Sequence, residues 1–333
     1  MALLSQNVLT LLDFAKRLDP DGKVPAIAEL LSQSNEVLSD MLWKEGNLPT
    51  GERTTVRTGL PDVYWRLLNQ GVQPSKSTTT QIDEATGMLE SYSEVDKDLA
   101  LLNGNVNSFR LSEAQAFLEA MNQEMASTLF YGNSSVNPEE FNGLSVRYSA
   151  LSGPLNAQNV ISGGGSANRS SIWLVCWGAN TITGIFPKGS KAGLQHEDLG
   201  LQTIQGANGI ATARLRAYQD HWQWKCGVAL KDWRYTVRIP NIDVGALATG
   251  SGAADLTRLM ILATHRPPSL NLGKPVFYMN RTVFQYLDTQ RRADVSGGGQ
   301  LSYDVVDGKR IPMFRGIPIR IVDAILNNEA AVA

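Results

Sequence analysis

The apolar positions of the chain form one long helical stripe near residue 120. Apolar residues recur three and four positions apart between Leu111 and Tyr131, which is the period of one face of an α-helix. Ser112 followed by Gln115 predicts a capping box at the start, and Gly132 predicts the end. The buried face would consist of Ala114, Phe117, Leu118, Met121, Met125 and Leu129. The solvent-exposed face would carry Glu119, Asn122 and Gln123.

Two regions after this helix have the pattern of β-strands. The run Ser171–Gly178 is almost continuously apolar, which predicts a strand buried on both faces. Between Tyr218 and Ile242, aromatic and aliphatic residues alternate with charged ones. This alternation predicts long paired strands with cross-strand aromatic contacts.

The last third mixes short helices with short strands. The predicted elements are a helix over Asp255–His265, a strand over Pro275–Met279, a helix over Arg281–Arg291 that begins directly after Asn280, and strands over Ser302–Val306 and Ile317–Val322. Asp307-Gly308 and the turn-rich segment 310–316 would join the last two strands. This mixture favours an α+β fold.

The region before the long helix predicts elements that cannot stand alone. Residues 2–48 carry short helical patterns interrupted by proline and glycine, so they resemble an arm that needs a partner surface. Further on, Thr54–Arg57 and Ser77–Thr80 are β-compatible and flank a turn-rich centre at Gly71–Pro74. A two-stranded excursion of this kind would be disordered unless it docks on something else.

Composition narrows the classes of function. The chain has 333 residues, with 30 Lys and Arg against 32 Asp and Glu, and so a formal net charge of -2. No sequence-wide basic field exists, which argues against tight nonspecific binding of nucleic acid. Cys176 and Cys226 lack CxxC spacing, which favours a reduced cytosolic environment. We expect a soluble protein without an export signal or a membrane span.

Residue types that carry chemistry are present without the spacing that chemistry requires. His196, His221 and His265 lie in separate segments, so we assign no metal ligands. The runs Gly163–Gly165 and Gly297–Gly299 lack the strand–loop–helix context of a phosphate site and read as loop tips. The sequence therefore predicts no catalytic, cofactor-binding or metal-binding residue, no cofactor and no enzymatic activity.

Three further groups have a structural interpretation beside a functional one. Glu139 and Glu140 form a carboxylate pair, but acids after Asn137-Pro138 also predict the start of a helix. Cys176 and Cys226 lie among apolar residues, where a thiol behaves as a small hydrophobe. The tryptophans could form a stacking platform for sugars or bases, although the absence of a basic stripe favours packing in the core or between subunits; they are Trp173, Trp177, Trp222, Trp224 and Trp233.

The order of these parts resembles the major capsid proteins of tailed bacteriophages, which have the Hong Kong 97 fold. The resemblance spans Val8 to Leu326 and is carried by several strings that are specific in combination. They are LFYGN (129–133), NPEEFNGLSVRY (137–148), SIWLVCWG (171–178), IFPKGSKAGLQHEDLG (185–200), DWRYTVRIPNID (232–243) and FYMNRTVFQYLDTQ (277–290). These strings are similar to the podovirus-type branch of the family, the Bordetella phage type.

The resemblance implies a division of the chain into four parts. They would be an N-terminal arm (1–48), an extended loop that reaches over a neighbouring subunit (49–83), a peripheral domain with the spine helix and long strands (84–243), and an axial domain with the closing strands (244–333). The function implied is self-assembly, through hexamers and pentamers, into the icosahedral shell of the virion around double-stranded DNA.

The resemblance also implies partners. Assembly would occur in the cytoplasm of the host bacterium with a portal protein and in some cases a decoration or cement protein, and the packaged DNA would be contacted only weakly. The spine helix begins near residue 111, which leaves no room for the scaffolding segment of many relatives, so a separate scaffolding protein is expected. Some relatives crosslink Lys to Asn between subunits, but no residue match assigns that chemistry to Lys76, Lys188 or Asn280.

Two other classes of function compete with the shell. A carbohydrate-binding phage structural module could use the tryptophan-rich strands, but such fibre proteins tend towards repeats and all-β texture. A soluble enzyme would need a convergent polar site, and the sequence indicates none.

Overall fold

The computed structural model describes residues 33–102, 106–206, 213–250, 252–293, 301–306 and 309–333. Most of the predicted arm, the run Gly297–Gly299 and the predicted turn at Asp307-Gly308 lie outside these residues.

The described strands are, in chain order, β1 (Trp43–Glu45), β2 (Gly51–Gly59), β3 (Thr78–Ala85), β4 (Gly87–Asp96), β5 (Arg169–Trp177), β6 (Ile182–Phe186), β7 (Leu194–Gln205), β8 (Arg214–Leu230), β9 (Thr236–Asp243), β10 (Lys274–Met279), β11 (Leu301–Val306), β12 (Lys309–Phe314) and β13 (Ile317–Ile321). The described helices are α1 (Val37–Asp40), α2 (Lys97–Leu101), α3 (Val106–Tyr131), α4 (Leu144–Arg147), α5 (Val244–Thr249), α6 (Leu256–Thr264) and α7 (Arg281–Ala293). Short 3-10 turns cover Leu155–Asn159 and Trp233–Tyr235.

In the described part of the chain the strands form two separate sheets. An 11-stranded sheet runs in the order β11-β12-β13-β10-β5-β6-β8-β4, with β9 added to β5, β1 to β6 and β7 to β8. Strands β2 and β3 form a second sheet that consists of this hairpin alone. The fold is therefore a large mixed sheet with helices, from which one hairpin stands apart.

Strand β5 divides the two main hydrophobic clusters. Ile172 and Leu174 pack into the cluster with α6, α7 and β10, whereas Trp173, Val175 and Trp177 pack into the cluster with α3. All five side chains are almost completely inaccessible to solvent. The predicted strand at 171–178 is confirmed, and burial on both faces explains why its sequence shows no polar alternation.

The long helix is confirmed, but it begins earlier in the chain than the capping box predicted at Ser112. Helix α3 begins at Val106, so Ser112 lies inside it and caps nothing. The first turns are helical because Phe109 packs against Val95 and Leu99 on neighbouring elements. Packing of this kind does not follow from the spacing of residues within the helix.

The predicted end of the helix at Gly132 is confirmed. The Gly132 amide donates to the carbonyl of Thr128 at 2.8 Å. A Cβ at this position would lie 2.4 Å from the carbonyl oxygen of Phe141, so the close approach of the chain requires glycine.

The predicted β block between Tyr218 and Ile242 divides into two strands with different neighbours. Strand β8 pairs antiparallel with β4 and β7 and forms a long three-stranded ribbon. The 3-10 turn at Trp233–Tyr235 then redirects the chain, and β9 pairs with β5 in the core. The strands predicted in this block are therefore present, but they pair with other strands and not with each other, and β4 and β7 were not predicted.

All five predicted elements in the last third are confirmed with small shifts of boundary, as α6, β10, α7, β11 and β13. The segment 310–316, predicted as turn-rich, mostly forms strand β12 instead, which pairs with both β11 and β13. The turn is restricted to Arg315 and Gly316, both of which have positive φ. Two such residues are what a tight antiparallel hairpin requires.

The predicted helix start at Glu139 and Glu140 is also wrong. Residues 138–140 form a turn, and the next helix is α4. The Glu140 carboxylate accepts hydrogen bonds from the Asn133 amide (3.3 Å) and the Asn137 side chain (2.8 Å). The carboxylate therefore closes the turn.

A buried ion pair fastens the C-terminal segment to the core. The Nη2 of Arg238 donates to Glu329 Oε2 at 2.8 Å, and the Tyr131 hydroxyl donates to Glu329 Oε1 at 2.5 Å. The two charged side chains are 5% and 3% exposed. Glu329 thus joins β9 and α3 through one carboxylate.

We predict that Arg238→Leu lowers the free energy of unfolding by about 3–5 kcal/mol, because it leaves the Glu329 carboxylate buried without its cation. Urea unfolding of the unassembled chain measures the change. The matched control is Arg234→Leu, which breaks an ion pair with Asp232 at the surface and should cost less than about 1 kcal/mol. Equal effects of the two substitutions would contradict the structural role of the buried pair.

Candidate interaction surface

The hairpin β2–β3 forms a two-stranded sheet separate from the large sheet. Its strands pair antiparallel from Gly51 opposite Ala85 to Gly59 opposite Thr78, and the tip spans residues 60–77. The predicted two-stranded excursion is confirmed, with strands longer than the sequence indicated. A nine-residue strand extends roughly 30 Å, so the tip lies far from the base.

Two buried carboxylates fix the base of the hairpin. Glu52, 4% exposed, accepts a hydrogen bond from Lys44 Nζ at 3.0 Å and lies 3.3 Å from Lys231 Nζ. The hydrogen bond with Glu52 raises the pKa of Lys44. Glu84 forms a two-pronged ion pair with Arg147, with Nη2 to Oε2 at 2.6 Å.

These contacts make the base stiff. Each carboxylate is held by a cation from a different part of the chain, so a tilt of the hairpin would break buried ion pairs. Gly51 adds a steric constraint, because a Cβ there would lie 1.9 Å from the Glu84 carbonyl oxygen. The hairpin therefore projects in a defined direction.

Further out, the hairpin carries an exposed ion pair. The Arg53 guanidinium donates twice to Asp83, with both distances at 2.6 Å. These hydrogen bonds lower the pKa of Asp83. Both groups face solvent, so the pair aligns the strands and adds little to stability.

The tip exposes apolar side chains to an unusual degree. Trp65 is 104% exposed, Val63 90% and Leu68 88%. The exposed apolar residues of the tip are Leu60, Val63, Tyr64, Trp65, Leu67, Leu68 and Val72. A contiguous exposed apolar patch on a folded chain marks an interaction surface or an aggregation hazard.

The apolar character of the tip was harder to predict from the sequence than its two strands. Reading the region as poor in apolar area missed that its apolar residues are concentrated between Leu60 and Val72. The available signal was an apolar run bounded by Pro61 and Gly71 that had no partner of matching pattern nearby.

A cluster of charges joins the β-ribbon to the start of α3. Arg110 Nη2 lies 2.6 Å from Asp198 and 2.8 Å from Asp220. His196 Nε2 lies 2.9 Å from Asp220 Oδ1, and its ring stacks on Trp222 with centroids 4.0 Å apart. The cluster holds helix and ribbon together, and sequence spacing could not reveal it because its members lie on three elements.

The three histidines have different surroundings in the structure. His196 belongs to the Arg110 cluster, His221 stacks on Tyr92 at 4.5 Å, and His265 lies near Arg315. Among the residues that the structure describes, no group of three or more His, Cys, Asp or Glu side chains is arranged to hold a metal ion. Likewise, no described helix is long and apolar enough to cross a membrane.

The tryptophans of the two predicted β blocks pack in the interior. Trp173, Trp177 and Trp222 are at most 8% exposed, and Trp224 and Trp233 pack against the main cluster. A stacking platform needs exposed ring faces. The carbohydrate-binding alternative is therefore wrong in the form proposed from these tryptophans.

The two cysteines and the first glycine run have structural surroundings. Burial raises the pKa of both Cys176 and Cys226 to about 12. The amides of Gly163 and Gly165 donate hydrogen bonds to the carbonyls of Pro240 and Asn241 in β9, at 2.8 and 2.7 Å. The run is thus a surface loop held against β9.

Comparison with known proteins supplies a family. The family model described as Major capsid protein GP7 matches residues 19–333. A search of curated proteins gives no match.

Several solved structures are similar to this chain. A chain of the bacteriophage Epsilon15 structure has 34% sequence identity and a TM-score of 0.77, with 100% of this chain and 99% of that chain covered. The bacteriophage JBD30 capsid has 9% identity and a TM-score of 0.48, with 90% and 95% covered. The capsid of a native GTA particle has 8% identity and a TM-score of 0.46, with 71% and 99% covered. We draw no inference from the last two.

We predict that neither native thiol reacts with iodoacetamide at pH 8 in the folded chain. With a pKa near 12, the thiolate fraction at that pH is on the order of 10⁻⁴, and burial also blocks access. Mass spectrometry of the treated protein measures the modification, and both thiols should react in urea. As a positive control, Leu155→Cys places a thiol at a position that is 70% exposed and should be modified quickly. Fast modification of Cys176 or Cys226 in the folded protein would contradict their placement.

Proposed function

This chain belongs to the family of the major capsid protein GP7, and on that premise we propose that its apolar hairpin tip docks on a neighbouring copy when a phage head shell closes. Membership makes the protein a structural component of the virion that forms a shell from copies of itself. Its α+β architecture is that of Hong Kong 97-like capsid proteins, as the sequence predicted.

The observation that carries the docking proposal is the state of the tip. Seven apolar side chains between Leu60 and Val72 face solvent, while the base at Glu52 and Glu84 is fixed by buried ion pairs. Burial of one such side chain stabilises by roughly 1.5–3 kcal/mol. A neighbouring subunit can supply the surface that the hairpin lacks in its own chain, and many such contacts close a shell.

The four-part division is part of the same proposal. Residues 1–48 would be an arm, 49–83 the extended loop, 84–243 the peripheral domain and 244–333 the axial domain at the centres of hexamers and pentamers. The second hydrophobic cluster contains Ile172 and Val237 as well as Leu256 and Phe277, so the two proposed domains share a core.

The weak contact with DNA is proposed from the charge of the chain, and the protein partners are those that the family resemblance implies. A formal net charge of -2 suits a wall that contacts packaged double-stranded DNA weakly, because each neutralised phosphate would fasten the genome to the shell. We assign control of curvature to a separate scaffolding protein, and further contacts to a portal and a decoration protein. Assembly would take place in the cytoplasm of the host bacterium, and the protein would have no catalytic activity of its own.

We predict that deletion of Gly59 to Lys76 leaves a folded, soluble monomer that forms no closed shell, because the deletion removes the docking surface and keeps the base. Circular dichroism checks the fold, and sedimentation with electron microscopy checks assembly. The matched control, Leu155→Ser, removes an exposed apolar side chain elsewhere and should assemble normally. Normal closed shells from the deletion variant would overturn the docking proposal.

We predict that the purified chain gives closed icosahedral particles or capsomer rings when it is co-expressed with the scaffolding protein of the same phage. Negative-stain electron microscopy compares this preparation with the chain alone. Persistent monomers under both conditions would contradict the proposed partnership.

A further inference from the structure

We propose that the hairpin tip of one copy inserts Trp65 into an acidic-rimmed cavity on the next copy, between the start of β4, the middle of α3 and the turn at residues 139–141. We call this cavity the receiving cavity. The inference rests on the proposed docking function of the hairpin and names the surface that accepts it.

The receiving cavity has an apolar lining and the size of one aromatic ring. Met88, Leu89, Met125 and Phe141 form its apolar part, and its volume is about 180 Å³. An apolar cavity of roughly 150 Å³ in another protein accepts a benzene molecule. Met88 is 57% exposed, so the cavity is open to a group that arrives from outside.

The rim of the receiving cavity is negative. Glu124, Glu139 and Glu140 line it. Glu140 is engaged by Asn133 and Asn137 in its own turn, whereas Glu124 and Glu139 are exposed and make no ion pair with any described residue. Two carboxylates therefore lie beside an apolar opening with no cationic partner in the part of the chain that the structure describes.

The hairpin tip carries the complementary charge. Within residues 60–77 the charged side chains are Arg66, Lys76 and a single acid, Asp62, so the tip has one positive charge in excess. Arg66 directly follows Trp65, which is completely exposed. If the indole enters the cavity, the guanidinium next to it reaches the acidic rim, and opposite potentials of this kind fix register and speed encounter.

The receiving cavity of the same chain is out of reach for its own tip. Gly87 and Met88 follow directly on the base of the hairpin, whereas Trp65 lies beyond strands that extend roughly 25 Å or more away from that base. The full exposure of Trp65 also shows that the tip does not fold back. The tip that enters this cavity in our proposal therefore belongs to another copy.

Two other surface cavities fit the tip less well because their rims are basic. One shares Gly87 and Met88 with the receiving cavity but is bordered by Lys188 and Lys225, and the other contains Lys231 and Arg234 beside the outer part of the same hairpin. A positively charged tip would be repelled from both. Charge therefore favours the cavity rimmed by Glu124 and Glu139.

Crosslinking tests the contact directly. In the double variant Trp65→Cys, Thr128→Cys, a short bis-maleimide should join neighbouring copies and give a ladder of covalent oligomers on a denaturing gel of assembled shells. Thr128 is chosen because it lines the receiving cavity and neither of the two basic cavities. Cys176 and Cys226 are buried and should not interfere. The matched control is Trp65→Cys, Leu155→Cys, in which the second thiol is exposed but does not line the cavity and should give little ladder.

Charge reversal tests the rim. Arg66→Glu and Glu139→Arg should each raise the protein concentration needed for assembly roughly tenfold, and the double variant should recover most of that loss. Both residues are exposed, and circular dichroism should show unchanged folding. Light scattering during assembly measures the concentration.

The outcomes separate this inference from the docking proposal beneath it. If the deletion of Gly59 to Lys76 still gives shells, the docking proposal fails and the receiving cavity fails with it. If the deletion blocks assembly but Thr128→Cys crosslinks no better than Leu155→Cys, the hairpin docks elsewhere and the receiving cavity is wrong. Independent, purely additive effects of the two charge reversals would also overturn the proposed rim pairing.

Discussion

Apolar surface that the chain cannot bury by itself is the constraint on which this structure depends. The apolar side chains between Leu60 and Val72 are of the types that usually lie in a core, yet they are exposed, and their hairpin forms a sheet of its own. Leaving such side chains in water forfeits the transfer free energy that stabilises the rest of the fold. The surface is therefore consistent with a chain whose stable state is an assembly and not a monomer.

The base of the hairpin makes this exposed surface usable. A flexible loop would lose conformational entropy on docking, and that loss would offset part of the gain from burial. Glu52 and Glu84 limit the loss because Lys44, Lys231 and Arg147 fix the base before any partner arrives. A buried carboxylate costs free energy when desolvated, so these pairs are better understood as fixing direction than as adding stability.

The sequence predicted elements whose pattern is local and missed those that depend on distant contacts. Strand β5 and the stop at Gly132 were predicted because a continuous apolar run and a glycine after an apolar stripe are local signals. The first turns of α3 were missed because Phe109 is held by residues of β4 and α2. Strand β7 was missed because its side chains are at least partly exposed to solvent on both faces, so its sequence does not alternate between apolar and polar residues.

The interaction surface was predictable in outline for the same reason. Thr-rich strands without apolar area indicated a hairpin in need of a partner, but the base ion pairs join residues as distant as Glu84 and Arg147. The acidic rim was misread in a similar way, since Glu139 and Glu140 fit a helix start by local rules. Their role depends on where α3 and β4 lie, which sequence spacing does not reveal.

The formal net charge of -2 conceals an arrangement suited to self-association. The tip has an excess of positive charge and the receiving cavity is lined by carboxylates, a local difference that the near-zero net charge of the whole chain does not show. A surface and its complement on the same chain generate a head-to-tail contact, and such contacts form rings when the rotation between copies closes. Because the tip is small and its base is stiff, modest changes of angle at the cavity would let one contact serve rings of different size. That property is what a closed shell built from one protein requires.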